Sequence, residues 1–263
     1  MDVDAVKVEE GAIFQRFEAK YRLNEITAMA IRDYLTPFVI PDKHNINGKP
    51  YCINSLYLDS PDLRLYQSSA DGEKNRFKMR IRSYPDDPSS PVFFEIKRRM
   101  NQIILKQRAT VRRECVGDLV HGAGFQTSAL ETPRMSEIRA LLNFRDIMET
   151  IQASPRCMVC YNREAYLSAF NDPVRISFDR HLTCFPAVEY SEALWLPEPI
   201  WQDVRSFEVL MEIKFNDAMP LWVQELIQRF ELTRVSSAKY NACVNTLRQL
   251  GISLQSRSEK ILL

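Results

Sequence analysis

Arg76, Lys78, Arg80 and Arg82 occupy every second position of a stretch whose intervening residues are Phe77, Met79 and Ile81. Alternate side chains of an extended strand point to opposite faces, so the four cations share one face and the apolar residues the other. Six further stretches repeat the arrangement. Glu18, Lys20 and Arg22 oppose Phe17, Ala19 and Tyr21; Glu95 and Lys97 oppose Phe94 and Ile96; Lys106, Arg108, Thr110 and Arg112 share one side of Leu105 to Arg112. Arg163 lies within Tyr161 to Ala165, and Arg175, Ser177 and Asp179 within Val174 to Asp179. Glu208, Glu212 and Lys214 oppose Phe207, Val209, Met211, Ile213 and Phe215. Rows of fixed guanidinium and ammonium groups suit the oxygens of a phosphate chain, which arginine bridges with parallel N–H donors. The carboxylates among them have two uses, pairing with a cation or holding a hard divalent ion. Glu95 and Lys97, for example, are placed to pair with each other on one face. Phosphoryl transfer asks a protein chiefly for positioning and charge stabilisation, which such an array supplies without a side-chain nucleophile.

The other reactive residue types point away from competing chemistries. His44, His121 and His181 are far apart in the chain, which argues against a histidine metal site or a Ser-His-Asp arrangement. Cys52, Cys115, Cys157, Cys160, Cys184 and Cys243 are scattered among apolar neighbours and read as reduced core thiols; the Cys157 to Cys160 spacing lacks a second pair for zinc. Net charge is +1, so no global basic field of the nucleic-acid-binding kind exists and any polyanion must be met locally. Met1 to Glu10 is acidic without an apolar leader, and the apolar runs fall well short of the roughly 20 residues that span a bilayer. The expectation is a cytoplasmic protein with no membrane segment of its own.

The elements that must position these rows follow from periodicity. Helical patterns cover Asn24 to Leu35 behind an asparagine cap, Pro61 to Ser69, Met135 to Met148, and a stripe of Trp222, Val223, Leu226, Ile227 and Phe230. A last helix begins near a Ser236-Ser237 cap and carries Tyr240, Cys243, Val244 and Leu247 on one face. Asp59 and Asp62 read as caps for the helix after Ser60-Pro61. A sheet with one solvated face would explain any single strand, but the charged faces together are dominated by arginine and lysine, and about five amphipathic helices are available to cover the apolar faces. The sequence therefore predicts an α+β fold in which a closed antiparallel eight-stranded β-barrel, a tunnel, keeps its charged faces in the lumen and wears its helices outside. Residues 1–12 are expected as an acidic arm, 13–252 as the tunnel domain and 253–263 as a tail. In this reading Arg80 and Arg82 crowd one another, so removing both should leave the fold intact or relieved.

Several motifs carry a resemblance. Phe17-Glu-Ala-Lys-Tyr21, Ser55-Leu-Tyr-Leu-Asp-Ser60, Lys78-Met-Arg-Ile-Arg-Ser-Tyr84, Phe94-Glu-Ile-Lys97, Tyr161-Asn-Arg-Glu-Ala-Tyr166, Val174-Arg-Ile-Ser-Phe-Asp179, Met211-Glu-Ile-Lys-Phe215 and Ser237-Ala-Lys-Tyr240 resemble, in order, the VTC (vacuolar transporter chaperone) domain of the triphosphate tunnel metalloenzymes, the CYTH-like superfamily. The resemblance implies a polyphosphate polymerase that extends its product from the γ-phosphate of ATP with Mn2+ or Mg2+. It implies that Lys20, Arg80, Arg82, Lys97, Lys106, Arg163, Arg175 and Lys239 line the tunnel and hold phosphates, with Arg108 and Lys214 added from the same strand faces. Of these, Arg80, Arg82, Lys97, Arg163 and Arg175 would act directly on the transferred group. Glu212 matches the metal-binding glutamate, and Glu18 would assist it. The ligands implied are ATP, triphosphate or polyphosphate, without nucleic acid, and a separate membrane protein is the natural partner. Two other functions use the same residues: a tunnel triphosphatase, with water as acceptor, and a sensor that binds polyphosphate or nucleotide without turnover.

Overall fold

The computed structural model describes residues 16–45, 48–85, 89–101, 103–121, 126–187, 201–204 and 208–254. The expected acidic arm, most of the expected tail and Phe207 lie outside these residues. The strands are β1 (Arg16–Leu23), β2 (Val39–Pro41), β3 (Tyr51–Asp59), β4 (Asn75–Ser83), β5 (Val92–Met100), β6 (Ile103–Val111), β7 (Ser154–Ser168), β8 (Arg175–Pro186), β9 (Gln202–Asp203) and β10 (Val209–Asn216). The helices described are α1 (Glu25–Leu35), α2 (Arg64–Ala70), α3 (Val116–Val120), α4 (Met135–Thr150), α5 (Leu221–Arg229) and α6 (Lys239–Gln249).

The strands form one antiparallel sheet in the order β1-β10-β8-β7-β3-β4-β5-β6, with β2 beside β7 and β9 beside β8. The eight-strand path matches the expected strand number, but closure by hydrogen bonds is not made among the described residues. β1 and β6 approach to within 8 Å between Cα atoms without forming a ladder. The reason is visible at β1. Its edge away from β10 is taken by the segment leading into α6, through a Tyr21–Arg234 bridge, a Val235 N–H to Lys20 carbonyl bond of 2.8 Å and an Arg234 Nη2 to Glu18 carbonyl bond of 3.0 Å. The sheet thus curls until its edges meet, and the seam is crossed by side chains: Lys97 Nζ on β5 lies 2.8 Å from Glu18 Oε2 on β1.

Outside, two apolar clusters do what the alternation requires. Met79, Ile81, Phe94 and Ile96 pack under α3 and α4, with the rings of Phe94 and Phe144 4.9 Å apart edge to face. Ala19, Tyr21, Ile176, Phe178, Met211 and Ile213 pack under α1 and α5. Each large side chain buried here stabilises the sheet by about 1.5–3 kcal/mol, which fixes the strand register and hence the opposite face. Asn24 caps α1 as expected, accepting from Thr27 N–H at 2.8 Å. Asp59 caps α2 from upstream, accepting from the Leu65 and Tyr66 N–H groups at 2.9 Å each, and it also accepts from the Tyr240 hydroxyl at 2.8 Å.

The inner face has two halves. One is charged; the other is filled by α6, whose Tyr240, Cys243, Val244 and Leu247 pack with Ile53, Tyr57, Val159 and Leu182. The Ser236-Ser237 cap expected for this helix is not made, since Ala238 is the N-cap and gives no side-chain bond. Ser237 instead offers its carbonyl to Lys20 Nζ at 3.0 Å, which ties the helix start to β1. β3 was not foreseen from periodicity. Leu56 and Leu58 face one cluster while Ile53 and Tyr57 face another, so both faces are buried and the alternation that marks a two-faced strand is missing.

Candidate functional site

The register of β4, β5 and β6 sets inner-face residues in rows. Arg80 stands opposite Glu95, which stands opposite Arg108; Lys78 stands opposite Lys97, which stands opposite Lys106. Glu95 is almost fully buried and gathers the cations around it. Arg80 donates to its Oε2 from Nε at 2.8 Å and Nη2 at 2.7 Å, Lys106 Nζ lies 2.7 Å from Oε1, Arg108 Nε 3.5 Å from Oε1, and Arg82 Nε 3.8 Å from Oε2. Burial alone would raise the Glu95 carboxyl, but Arg82, Arg80 and Lys106 hold it well below the usual carboxylate range. Burial and the neighbouring arginines draw Lys106 down to about 8 despite Glu95. The alternative use of Lys97, as a partner of Glu95, is not made among the described residues, because the closer guanidinium of Arg80 and ammonium of Lys106 meet both carboxylate oxygens while Lys97 reaches Glu18.

Three donors on this wall are left over. Arg82 Nε and Arg108 Nε are buried without a hydrogen-bond partner, their distances to Glu95 being too long for one. Lys78 makes no ion pair among the described residues, and burial together with Lys20, Lys97, Arg76 and Arg80 pushes its ammonium well below the usual lysine value.

The facing wall is built from β1, β10, β8, β7 and the first residue of α6. Asp179, fully buried, accepts from Arg163 Nε at 2.6 Å and Nη2 at 2.7 Å, and Lys239 Nζ lies 2.6 Å from its Oδ2. Glu212 sits among four cations at longer range: Lys239 at 3.3 Å, Arg163 Nη2 at 3.4 Å, Lys20 at 3.5 Å and Lys214 at 3.6 Å. Glu18 lies 3.2 Å from Lys20 Nζ, so Lys20 bridges the two glutamates. Burial opposes ionisation of both, but the lysines around them outweigh it and each carboxyl is lowered. Burial brings Lys214 down to about 7. Arg175 is drawn toward the rim, where Asp42 Oδ2 accepts from its Nε at 3.0 Å and Nη2 at 2.7 Å, and it donates from Nη2 to the Tyr51 hydroxyl at 3.2 Å.

All twelve side chains singled out from the sequence therefore lie on one curled face, drawn from seven strands and one helix. The pattern did not single out Asp179, Asp42, Tyr57 or the hub role of Glu95. Tyr57 accepts from Arg80 Nη1 at 3.2 Å. Asp179 shares the face of Arg175, a signal that alternation carried; Asp42 follows a three-residue strand too short to show one. Together eleven cations, Lys78 included, face five carboxylates, and this excess of positive charge on one partly buried face calls for an anionic ligand.

The sequence model of the VTC domain matches residues 15–248. The chain belongs to the VTC domain family. That match spans every element described above except the last residue of α6. A comparison with curated proteins finds no significant match. Among solved structures, a putative adenylate cyclase from Vibrio parahaemolyticus is similar at 10% identity over 87% of this chain and 97% of that one, with a TM-score of 0.43. A putative adenylyl cyclase from Hippeastrum, described as having a dominant triphosphatase activity, is similar at 16% identity over 91% and 97%, with a TM-score of 0.45. A protein from Pyrococcus horikoshii is similar at 14% identity over 94% and 98%, with a TM-score of 0.37. Identities this low carry no activity from one chain to another.

Proposed function

We propose that this VTC-family chain is a phosphotransferase of the polyphosphate-polymerase type, which threads a phosphate chain between the two cationic walls of its curled sheet. The observation that supports this reading best is the set of leftover donors on one wall: Arg82 Nε and Arg108 Nε, buried without an acceptor, and half-buried Lys78, which makes no ion pair among the described residues. Phosphate oxygens suit them in charge, since each accepts strong hydrogen bonds from a cationic donor. In the reaction a terminal oxygen of the growing chain, or of orthophosphate as starter, bonds to the γ-phosphorus of ATP while the bridge to the β-phosphate breaks and ADP leaves. Arg80, Arg82, Lys106 and Arg108 hold one side of the triphosphate, and Lys20, Lys97, Arg163, Lys214 and Lys239 hold the other, with Arg175 nearer the rim. The array keeps reacting groups in line and spreads the charge that develops on the equatorial oxygens.

The residues fit a hard divalent cation. Glu212 is buried and Glu18 half-buried, both are held ionised and converge on Lys20, and the Glu212 contacts of 3.3–3.6 Å are longer than those that bind Glu95. Bound there, Mn2+ or Mg2+ would polarise a phosphoryl oxygen and shield its charge. With only two carboxylates to hold it, most of its coordination would come from phosphate and water. ATP supply suits a cytoplasmic setting, and among the described residues no helix is long and apolar enough to cross a membrane.

Incubation with ATP and Mn2+, with products resolved on a polyacrylamide gel, tests the reading. Chains longer than the added primer are expected. Orthophosphate as the sole product would make the site a triphosphatase, and tight polyphosphate binding without turnover would make it a sensor.

A further inference from the structure

The two ends of the β4–β5 wall differ. Toward one end the inner face closes on Arg76 opposite Arg99. Toward the other it ends in rings: Tyr84 follows Arg82 by two residues on the same face, and Phe93 stands opposite Arg82. His44 stacks on Tyr84 with ring centroids 5.7 Å apart and planes 6° apart, and lies 5.4 Å from Tyr51. Tyr84 meets Phe93 edge to face at 5.8 Å, and the Arg108 guanidinium covers Phe93 at 3.7 Å. These rings are not sunk in a core. His44 is exposed, and Tyr51, Tyr84 and Phe93 are each half-buried. Among the described residues no hydrogen bond fixes the His44 imidazole, so the stack alone orients it. The platform adjoins phosphate-ready donors, with Arg175 bonded to the Tyr51 hydroxyl at 3.2 Å and Arg82 one pleat inward from Tyr84, about 6.8 Å along the strand.

We propose that the Tyr84–His44 platform stacks the base of a nucleoside triphosphate whose phosphates run inward past Arg82, making this end of the site select nucleotides over base-free triphosphates. The inference rests on the phosphate-binding reading above and adds the recognition of the nucleoside. An aromatic platform grips the π-face that every base possesses and leaves base edges unread. Purines, with the larger ring area, bind better than pyrimidines, and adenine and guanine bind alike.

Methyl triphosphate provides the control, because it matches the charge of ATP and lacks the nucleoside. Affinities for ATP, UTP and methyl triphosphate are measured by calorimetry in chelator for the wild type, Tyr84→Ala, Tyr84→Phe and His44→Ala. The wild type should bind ATP about tenfold more tightly than methyl triphosphate, with UTP between them. Tyr84→Ala and His44→Ala should collapse that ratio toward one while leaving methyl triphosphate affinity within about twofold, and Tyr84→Phe should keep it. Retained methyl triphosphate binding shows that a variant is folded. A wild-type ratio near one, or a ratio unchanged in both alanine variants, overturns the platform and leaves the phosphate site standing. Absence of binding by all three ligands overturns both.

Discussion

Glu95 and Glu212 are the same residue in nearly the same predicament, each a buried carboxylate ringed by four cations on an inner strand face, yet their surroundings differ in tightness. Glu95 holds its nearest cations at 2.7–2.8 Å, whereas every cation around Glu212 stands at 3.3–3.6 Å. Their neighbours explain the difference. Arg163 and Lys239 already have a closer acid in Asp179, and Lys20 is shared with Glu18, so Glu212 competes for cations that are partly satisfied elsewhere. Arg80, Arg82, Lys106 and Arg108 have no acid other than Glu95 among the described residues. One glutamate therefore builds the wall, and the other holds its cations at longer range.

The largest effect should come from removing the wall-building charge. Glu95→Gln leaves four neighbouring cations without their counter-ion and should cost about 3–5 kcal/mol of stability, which chemical denaturation would read. Glu212→Gln should cost less than Glu95→Gln, because three of its four partners keep another carboxylate. Equal losses would erase the distinction.

A second, smaller contrast separates two arginines on one strand. Arg80→Ala removes the closest guanidinium from buried Glu95 and should cost about 2 kcal/mol. Arg82→Ala, whose Nε already lacks an acceptor, should be near neutral in stability yet weaken tripolyphosphate binding tenfold or more. The sequence alone suggested that losing both would relieve crowding. The Arg80–Glu95 contact reverses that sign for Arg80, and denaturation of the two single variants would settle it.

How far the sequence could be read follows from the same physics. Strands with one charged and one apolar face were legible because the alternation is a property of neighbouring residues, and it placed Arg80, Arg82, Glu95 and Glu212 on their correct faces. What alternation does not contain is the partner across the lumen. Which cation meets Glu95, and why Lys97 turns instead to Glu18, depends on register and on how the seam is drawn together. β3 escaped because both its faces are buried, and the open seam escaped because the segment at Arg234 and Val235 that takes the β1 edge has no strand signature of its own.

The smallest effect is a pH dependence on the Glu95 wall. Lys106 falls to about 8 in the folded protein, from about 10.5 in an unfolded chain. Between those values the unfolded state carries the extra proton, so ligand-free stability should rise with pH. Against Lys106→Met, wild-type stability should improve as pH rises from 7.5 to 9.5; a constant difference would contradict the shift. Tripolyphosphate affinity should fall over the same window as the lysine loses its charge.

The central claim is that the slack glutamate serves turnover while the cations serve binding. It is tested most directly by following product formation from ATP against Mn2+ concentration for wild type and Glu212→Gln, with tripolyphosphate affinity measured in chelator for both. The account predicts a loss of turnover of roughly 10² or more, of the size seen when one preorganised charge-stabilising group is removed, with affinity unchanged or tighter. Equal turnover in the two proteins would contradict it and reduce Glu212 to an ion-pair partner of Lys239 and Arg163.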